Sequence, residues 1–137
     1  MRFGKLPQLL LQLEAQEIDV CLGDPRQMLR NEHYAMAPVG KQYGGLYCRA
    51  GHPLLRKDAV HAADMTRYGV ALISTSPLLL DSLAADFGFA SGQSFPLAVE
   101  CDDIAMLARL IAETDVLGLL PDAIISRLNA EVGQALR

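Results

Sequence analysis

YGVALISTSPLLLDSLAADFGFASGQSFPLAVECDDIAMLARLIAETDVLGLLPDAIISRLN, residues Tyr68 to Asn129, reads as a βαβαβα unit: three short apolar strands, each running straight into an amphipathic helix. The expected strands are Gly69 to Ile73 (GVALI), Phe95 to Glu100 (FPLAVE) and Val116 to Leu120 (VLGLL). They are nearly continuous apolar runs rather than strict alternations, the pattern of strands covered on both faces. The intervening helices supply that cover. Leu80, Leu83, Ala84 and Phe87 fall at i, i+3, i+4, i+7 and share one helix face, and Ile104, Leu107, Ala108 and Ile111 repeat the spacing. Ser76 before Pro77 has the form of an N-cap followed by proline at the first helical position, with Gly88 as the stop. Asp102 and Asp103 open the second helix, where carboxylates suit the positive end of the macrodipole. Pro121 and Asp122 open a third helix, with Ile124, Ile125 and Leu128 as its apolar side. In open α/β sheets ligands settle outside the carboxyl ends of parallel strands, where helix N-termini also point. The pattern thus locates a crevice before it names a ligand.

Outward from this unit the chain changes character. A helix from Lys5 to Gln16 leads to expected strands at Ile18 to Leu22, Tyr34 to Val39 and Tyr43 to Cys48. The crossing to the βαβαβα unit falls near Ala50 to Pro53. Glycine, proline and charge gather at Gly23 to Glu32 and at Arg49 to Lys57, marking loops or hinges. One helix and three strands cover only one sheet face, so the first third reads as a module whose upstream portion is missing.

With 137 residues, 51% of them hydrophobic and 20% charged, the chain can bury a core, and its length suggests one domain. The opening Met1 to Leu6 and Leu9 to Leu11 imitate a secretory leader, but Gln8, Gln12 and Glu14 interrupt the apolar run. Leu6, Leu9, Leu10 and Leu13 instead mark one face of an amphipathic helix. No run is long enough to span a bilayer. Cys21, Cys48 and Cys101 show neither CxxC spacing nor an even count, which favours reduced thiols and a cytoplasmic setting. A net charge of −4 and the lack of any Lys/Arg-rich run argue against a nucleic-acid surface on this chain.

The segment LLLQLEAQEIDVCLG, Leu9 to Gly23, resembles the helix-then-strand stretch of LysR-type transcriptional regulators, and LYCRAGHPL, Leu46 to Leu54, resembles that family's apolar strand followed by HPL. AADMTRY, Ala62 to Tyr68, is similar to its next helix, and VECDDIAMLARLIAETDVLGLLP, Val99 to Pro121, to its later strand, helix and strand ending in LLP. The four pieces stand in the family's order over residues 9 to 121. Departures are Cys21 within the expected strand and Glu113-Thr114-Asp115 where the family has small residues and glycine. The resemblance implies an α/β fold of the periplasmic-binding-protein type II, two-lobed, with a small molecule between the lobes. Residues 1–49 would form a partial lobe I and residues 50–137 a lobe II lacking the return of the chain to lobe I. The chain then reads as a fragment, without its helix-turn-helix, so that DNA would be reached only through a segment absent here. Sheet edges left without partners imply a homodimer or higher oligomer, by edge pairing or segment exchange through lobe I.

Ser74, Thr75 and Ser76 bring hydroxyls and free backbone N–H groups to a helix N-terminus, a place for a carboxylate or sulfate, and effector contacts of the family often come from this loop. The plain alternative is an N-cap with two turn residues. Asp102 and Asp103 would prefer an amine or hydroxyl as ligand contacts; otherwise one caps the helix and the other is solvated. Pro121 ends the third strand at the same rim, with Asp122 as a dipole partner. Asp24 and Arg26, after the expected strand Ile18 to Leu22, could face the crevice, where Arg26 could fork onto a carboxylate. His33, His52 and His61 lack metal-ligand spacing. Cys101 precedes a helix N-terminus that favours a thiolate, although apolar burial is the commoner fate. There is no G-x-S-x-G, P-loop or G-x-G-x-x-G, and no carboxylate pair diagnostic of acid–base catalysis. The expectation is a sensing domain without catalytic residues, metal or cofactor, binding an organic acid or amino-acid-like effector. A periplasmic-type solute-binding protein and an enzyme on the same scaffold are the alternatives.

Overall fold

The structure, a computed structural model, describes residues 4–28 and 33–128. Asn129, Met1 to Phe3 of the apparent leader and the 29–32 end of the Gly23 to Glu32 loop lie outside those residues, as does the Leu128 side chain. Five helices are described: α1 (Leu6–Glu14), α2 (Ala62–Tyr68), α3 (Pro77–Asp86), α4 (Ile104–Glu113) and α5 (Asp122–Leu128). The strands are β1 (Gly44–Tyr47), β2 (Val70–Leu72), β3 (Leu97–Glu100) and β4 (Leu117–Pro121), with short 3-10 turns at Pro25–Gln27 and Pro53–Arg56.

The four strands form one mixed sheet in the order β1-β4-β2-β3. β2 is parallel to both β3 and β4, with Val70 opposite Leu117 and Leu72 opposite Leu119. All three expected strands of the βαβαβα unit are therefore present: β2 is trimmed at both ends, β3 at its start, and β4 is shifted by one residue to end on Pro121. Helical crossovers join them because parallel neighbours cannot be closed by a hairpin. β1 runs antiparallel to β4 at one edge, pairing Gly45 with Leu120 and Tyr47 with Gly118.

β2 and β4 are covered on both faces, as their apolar runs require, whereas β3, at the sheet edge, has Ala98 and Glu100 exposed and no fully buried residue, so its apolar run overstated its cover. On one face Leu46, Val70, Leu72 and Leu117 pack with Met65 of α2, Ala84 of α3, Leu54 and Phe95. On the other, Tyr47, Ala71 and Leu120 pack with Leu107, Ala108 and Ile111 of α4 and Ile125 of α5. The α4 stripe read from the sequence is the buried one, apart from Ile104 at the helix start, which stays exposed. Two glycines permit close approach here. A Cβ on Gly118 would lie 2.2 Å from Ile111 Cδ1, so the Ile111 side chain packs directly over the bare backbone at position 118. Gly69 adopts φ 72°, ψ 160°, a region essentially reserved for glycine. Beside it β3 carries one extra residue, Ala98, between the partners of Val70 and Ala71, and a Cβ at position 69 would meet Ala98 Cβ at 2.6 Å.

The segment around HPL is tied down by His52, which is 1% exposed. Its Nδ1 accepts the Leu54 N–H at 3.1 Å, so Nε2 carries the proton and donates to the Asp115 carbonyl at 3.0 Å. The ring also meets Tyr68 edge-on at 4.7 Å. Asp64 in the first turn of α2 accepts from the His61 N–H and pairs with Lys57, and these partners, Lys57 first, hold its carboxyl below the usual range.

Two expectations fail. Neither Ile18 to Leu22 nor Tyr34 to Val39 forms a strand, and Val20, Leu22, Met36 and Val39 are exposed. Their apolar, β-branched composition suits a pleated surface, but a strand needs a ladder partner, and neither segment pairs with β1 or β3, the edge strands of the described sheet. The helix predicted over Lys5 to Gln16 is present but shorter, and Gln16 has φ 57° just beyond it.

Three outcomes follow from this packing. Gly69→Ala destabilises the fold by about 1–3 kcal/mol through backbone strain alone, measured by urea denaturation. Ile111→Ala costs about 2–5 kcal/mol, whereas Met106→Ala, at a 64% exposed position of the same helix, stays within about 0.5 kcal/mol. Asp64 is harder to protonate in the folded chain than in the unfolded one, so its contribution is present above about pH 4 and is lost as pH falls through the lower folded value. Asp64→Asn is accordingly less stable than the parent at pH 7, and the gap narrows in acid. An equal gap at pH 7 and pH 3 would contradict the ion-pair assignment.

Candidate functional site

The parallel run β4-β2-β3 places three strand-to-helix junctions side by side: Pro121 and Asp122 where β4 passes into α5, Ser74 to Ser76 after β2, and Cys101 to Asp103 after β3. The Cys101 N–H still reaches the Leu72 carbonyl at 3.0 Å, so the second and third junctions touch. Six of the eight residues singled out from the sequence, Ser74, Thr75, Ser76, Asp102, Asp103 and Pro121, therefore share one rim.

At its centre the loop after β2 holds carboxylates. The Thr75 N–H donates to Glu100 Oε1 at 2.6 Å. Asp102 is held below the usual carboxylate range, first by hydrogen bonding from the Ser74 side chain and then from Lys5, with the Ser74 backbone also contributing. Lys5 Nζ stands 3.2 Å from Asp102 Oδ2. The Thr75 hydroxyl oxygen is buried without a hydrogen-bond partner. Ser76 performs the expected capping: its Oγ accepts the Leu79 N–H at 3.3 Å, and Pro77 occupies the first turn. Two roles are thus present in adjacent residues, a cap at 76 and carboxylate-holding donors at 74 and 75.

The neighbouring aspartates divide their work. Asp103 caps α4, its Oδ1 accepting from Ala105 N at 2.9 Å and Met106 N at 3.1 Å. Asp102 remains exposed between Ser74 and Lys5. Asp122 lies in the first turn of α5, and its Oδ1 accepts the Tyr47 hydroxyl at 2.9 Å. Burial, followed by this bond, raises the Tyr47 phenol above its ordinary value. Pro121 contributes strand backbone opposite Gly44.

Asp24 and Arg26 do not reach the rim. Asp24 caps the 3-10 turn at Pro25–Gln27, and Arg26 folds back onto it, Nη2 to Oδ2 being 2.8 Å. Arg26 Nη1 also lies 3.5 Å from Asp86, the last residue of α3. α3 starts at the rim and its ten residues span about 15 Å, so this pair marks the other end of the helix. A loop arginine expected to meet a ligand meets two aspartates, because an adjacent carboxylate two residues away is the closest available partner. A cavity of about 300 Å3, bordered by Asp81, Ala84, Phe89 and Gln93, likewise opens beside α3 and the loop after it, not at the rim.

Sequence reasoning missed Lys5, Tyr47 and Glu100. Glu100 ends β3 with its side chain exposed, and a charged residue closing an apolar strand next to a serine loop was the one available signal. Lys5 and Tyr47 reach the rim through contacts 97 and 75 residues away in sequence, which no local pattern encodes. Among the described residues no group of three or more His, Cys, Asp or Glu is placed to hold a metal ion. Cys101 is partly buried, its Sγ 3.6 Å from the Asp103 carbonyl, while burial pushes the Cys48 thiol up. No helix among the described residues is long and apolar enough to cross a membrane.

Residues 1–134 match the LysR substrate binding domain. The chain is also 31% identical over 120 residues to the SDS degradation transcriptional activation protein of Pseudomonas sp., an alignment covering 82% of this chain and 37% of that relative. It therefore spans little more than a third of the regulator it resembles. The chain belongs to the LysR substrate-binding domain family, the ligand-sensing part of LysR-type transcriptional regulators, with their periplasmic-binding-protein-like type II fold.

Proposed function

We propose that this chain senses a small organic acid or amino-acid-like effector at the rim formed by Ser74, Thr75, Asp102 and the start of α3, and acts by binding without chemistry. One observation carries the reading: the donors of the Ser74–Thr75 loop already hold the carboxylates of Glu100 and Asp102, so the array has the shape and polarity that a ligand carboxylate requires. A ligand acid takes the place of one of these side chains, and Asp102 receives an amine or hydroxyl of the same molecule. Ser76, Asp103 and Pro121 fix the loops rather than contact ligand.

In the larger regulator, lobe I takes the residues ahead of β1 and lobe II takes β1 onward, since β1 pairs with β4 in the lobe II sheet; the division thus falls a few residues before the one between residues 49 and 50 expected from the sequence. The ligand favours one arrangement of the lobes by binding it more tightly. A homodimer or higher oligomer in the cytoplasm passes that arrangement to DNA through a helix-turn-helix outside this sequence.

A thermal-shift screen of monocarboxylic acids, dicarboxylic acids and amino acids tests the reading. At least one class raises the melting temperature, and Ser74→Ala weakens its binding by roughly 10- to 100-fold, the scale of a hydrogen bond to a charged group. Asp102→Asn shifts preference away from ligands that carry an amine. A ligand whose affinity is the same in the parent chain and in Ser74→Ala would place binding elsewhere.

A further inference from the structure

The N-terminal segment folds back on itself. Leu6 is buried, and the Leu6 side chain sits so close to Gly23 that a Cβ there would lie 2.7 Å from Leu6 Cδ1. The two ends of this closed loop meet different ends of α3. Ahead of Leu6, Lys5 pairs with Asp102 at the rim, next to Ser74 and the start of the helix. Beyond Gly23, the 3-10 turn at Pro25–Gln27 packs on α3 and Arg26 pairs with Asp86 at the helix end. Asp24 grips the Arg26 guanidinium through Nε and Nη2, which holds Nη1 toward Asp86.

We infer that residues 5–27 form a strap latched along α3 by two ion pairs, Lys5–Asp102 at the rim and Arg26–Asp86 at the far end, and that releasing the strap bares the rim. The latch is weak by construction. The Lys5 and Asp102 side chains are 61% and 57% exposed, and Arg26 and Asp86 are 47% and 60% exposed, so salt screens both pairs. Little apolar surface reinforces them: Leu11, Val20 and Leu22 of the strap face solvent. A cationic group of a ligand arriving at Asp102 competes directly with Lys5, so occupancy of the rim and lifting of the strap are coupled. This last point rests on the proposed binding site; the strap itself does not.

Hydrogen exchange on the ligand-free chain reads the latch. α1 has nine residues, too few for an isolated helix to persist in water, so lifting the strap exposes its amides. In the parent chain, exchange of the amides of residues 9–16 rises roughly threefold to tenfold between low salt and 0.5 M NaCl, the range that two exposed ion pairs span. The amides of Val70–Leu72 and Leu117–Leu120 do not change. Lys5→Gln combined with Arg26→Gln exchanges fast at low salt and no longer responds to added salt, and Lys5→Asp combined with Asp102→Lys restores slow exchange. Salt-independent exchange of residues 9–16 in the parent, or an equal rise in the β2 and β4 amides, would overturn the latch. Because no ligand is present, that failure would leave the sensing proposal standing, and an unresponsive ligand screen would leave the latch standing.

Discussion

Three strands of three to five residues, lying side by side and pointing the same way, constrain everything else in this molecule. Parallel neighbours cannot be joined by a turn, so the chain passes from one such strand to the next through a helix that carries it back to the opposite end of the sheet. Those helices bury the sheet on both faces and, by the same requirement, all start at one rim. The position of the site is thus a consequence of connectivity. Two glycines serve the packing beneath that rim: Gly118 lets the Ile111 side chain of α4 rest on β4, and Gly69 allows the tight entry to β2 beside Ala98.

The rim is polar where the sheet is apolar, and it is furnished almost wholly with carboxylates, each with an internal donor. Glu100 has the Thr75 N–H, Asp102 has Ser74 and Lys5, Asp103 has the α4 amides, and Asp122 has the Tyr47 hydroxyl. Such pairing resolves the repulsion that clustered carboxylates would otherwise generate. It also shows that the loop donors can serve carboxylate oxygens, the feature on which the proposed ligand class rests.

Much of this was legible in the sequence for identifiable reasons. The apolar runs at 69–73, 95–100 and 116–120, the Ser76–Pro77 cap and the Asp103 cap are local signals, and each appears where local chemistry puts it. Pairing is different. Ile18 to Leu22 and Tyr34 to Val39 carry the composition of strands without a partner to pair with, while Gly44–Tyr47, preceded by equally ambiguous sequence, found one in β4. The same distinction separates the site residues. Ser74 to Ser76 and Asp102 follow from strand ends alone, whereas the placement of Arg26 on Asp24 and Asp86, and of Lys5 and Tyr47 at the rim, depends on how distant segments pack.

The shared direction of β2, β3 and β4 is the claim on which the fold, the rim and the sensing role all stand, and proton–proton distances by NMR test it most directly. The account predicts amide-to-Hα contacts of a parallel ladder between Val70–Leu72 and Leu117–Leu119, with short Hα–Hα contacts confined to the antiparallel β1–β4 pair. Short Hα–Hα contacts between β2 and β4 would mean opposed strands, their following loops at opposite ends of the sheet, and no common rim.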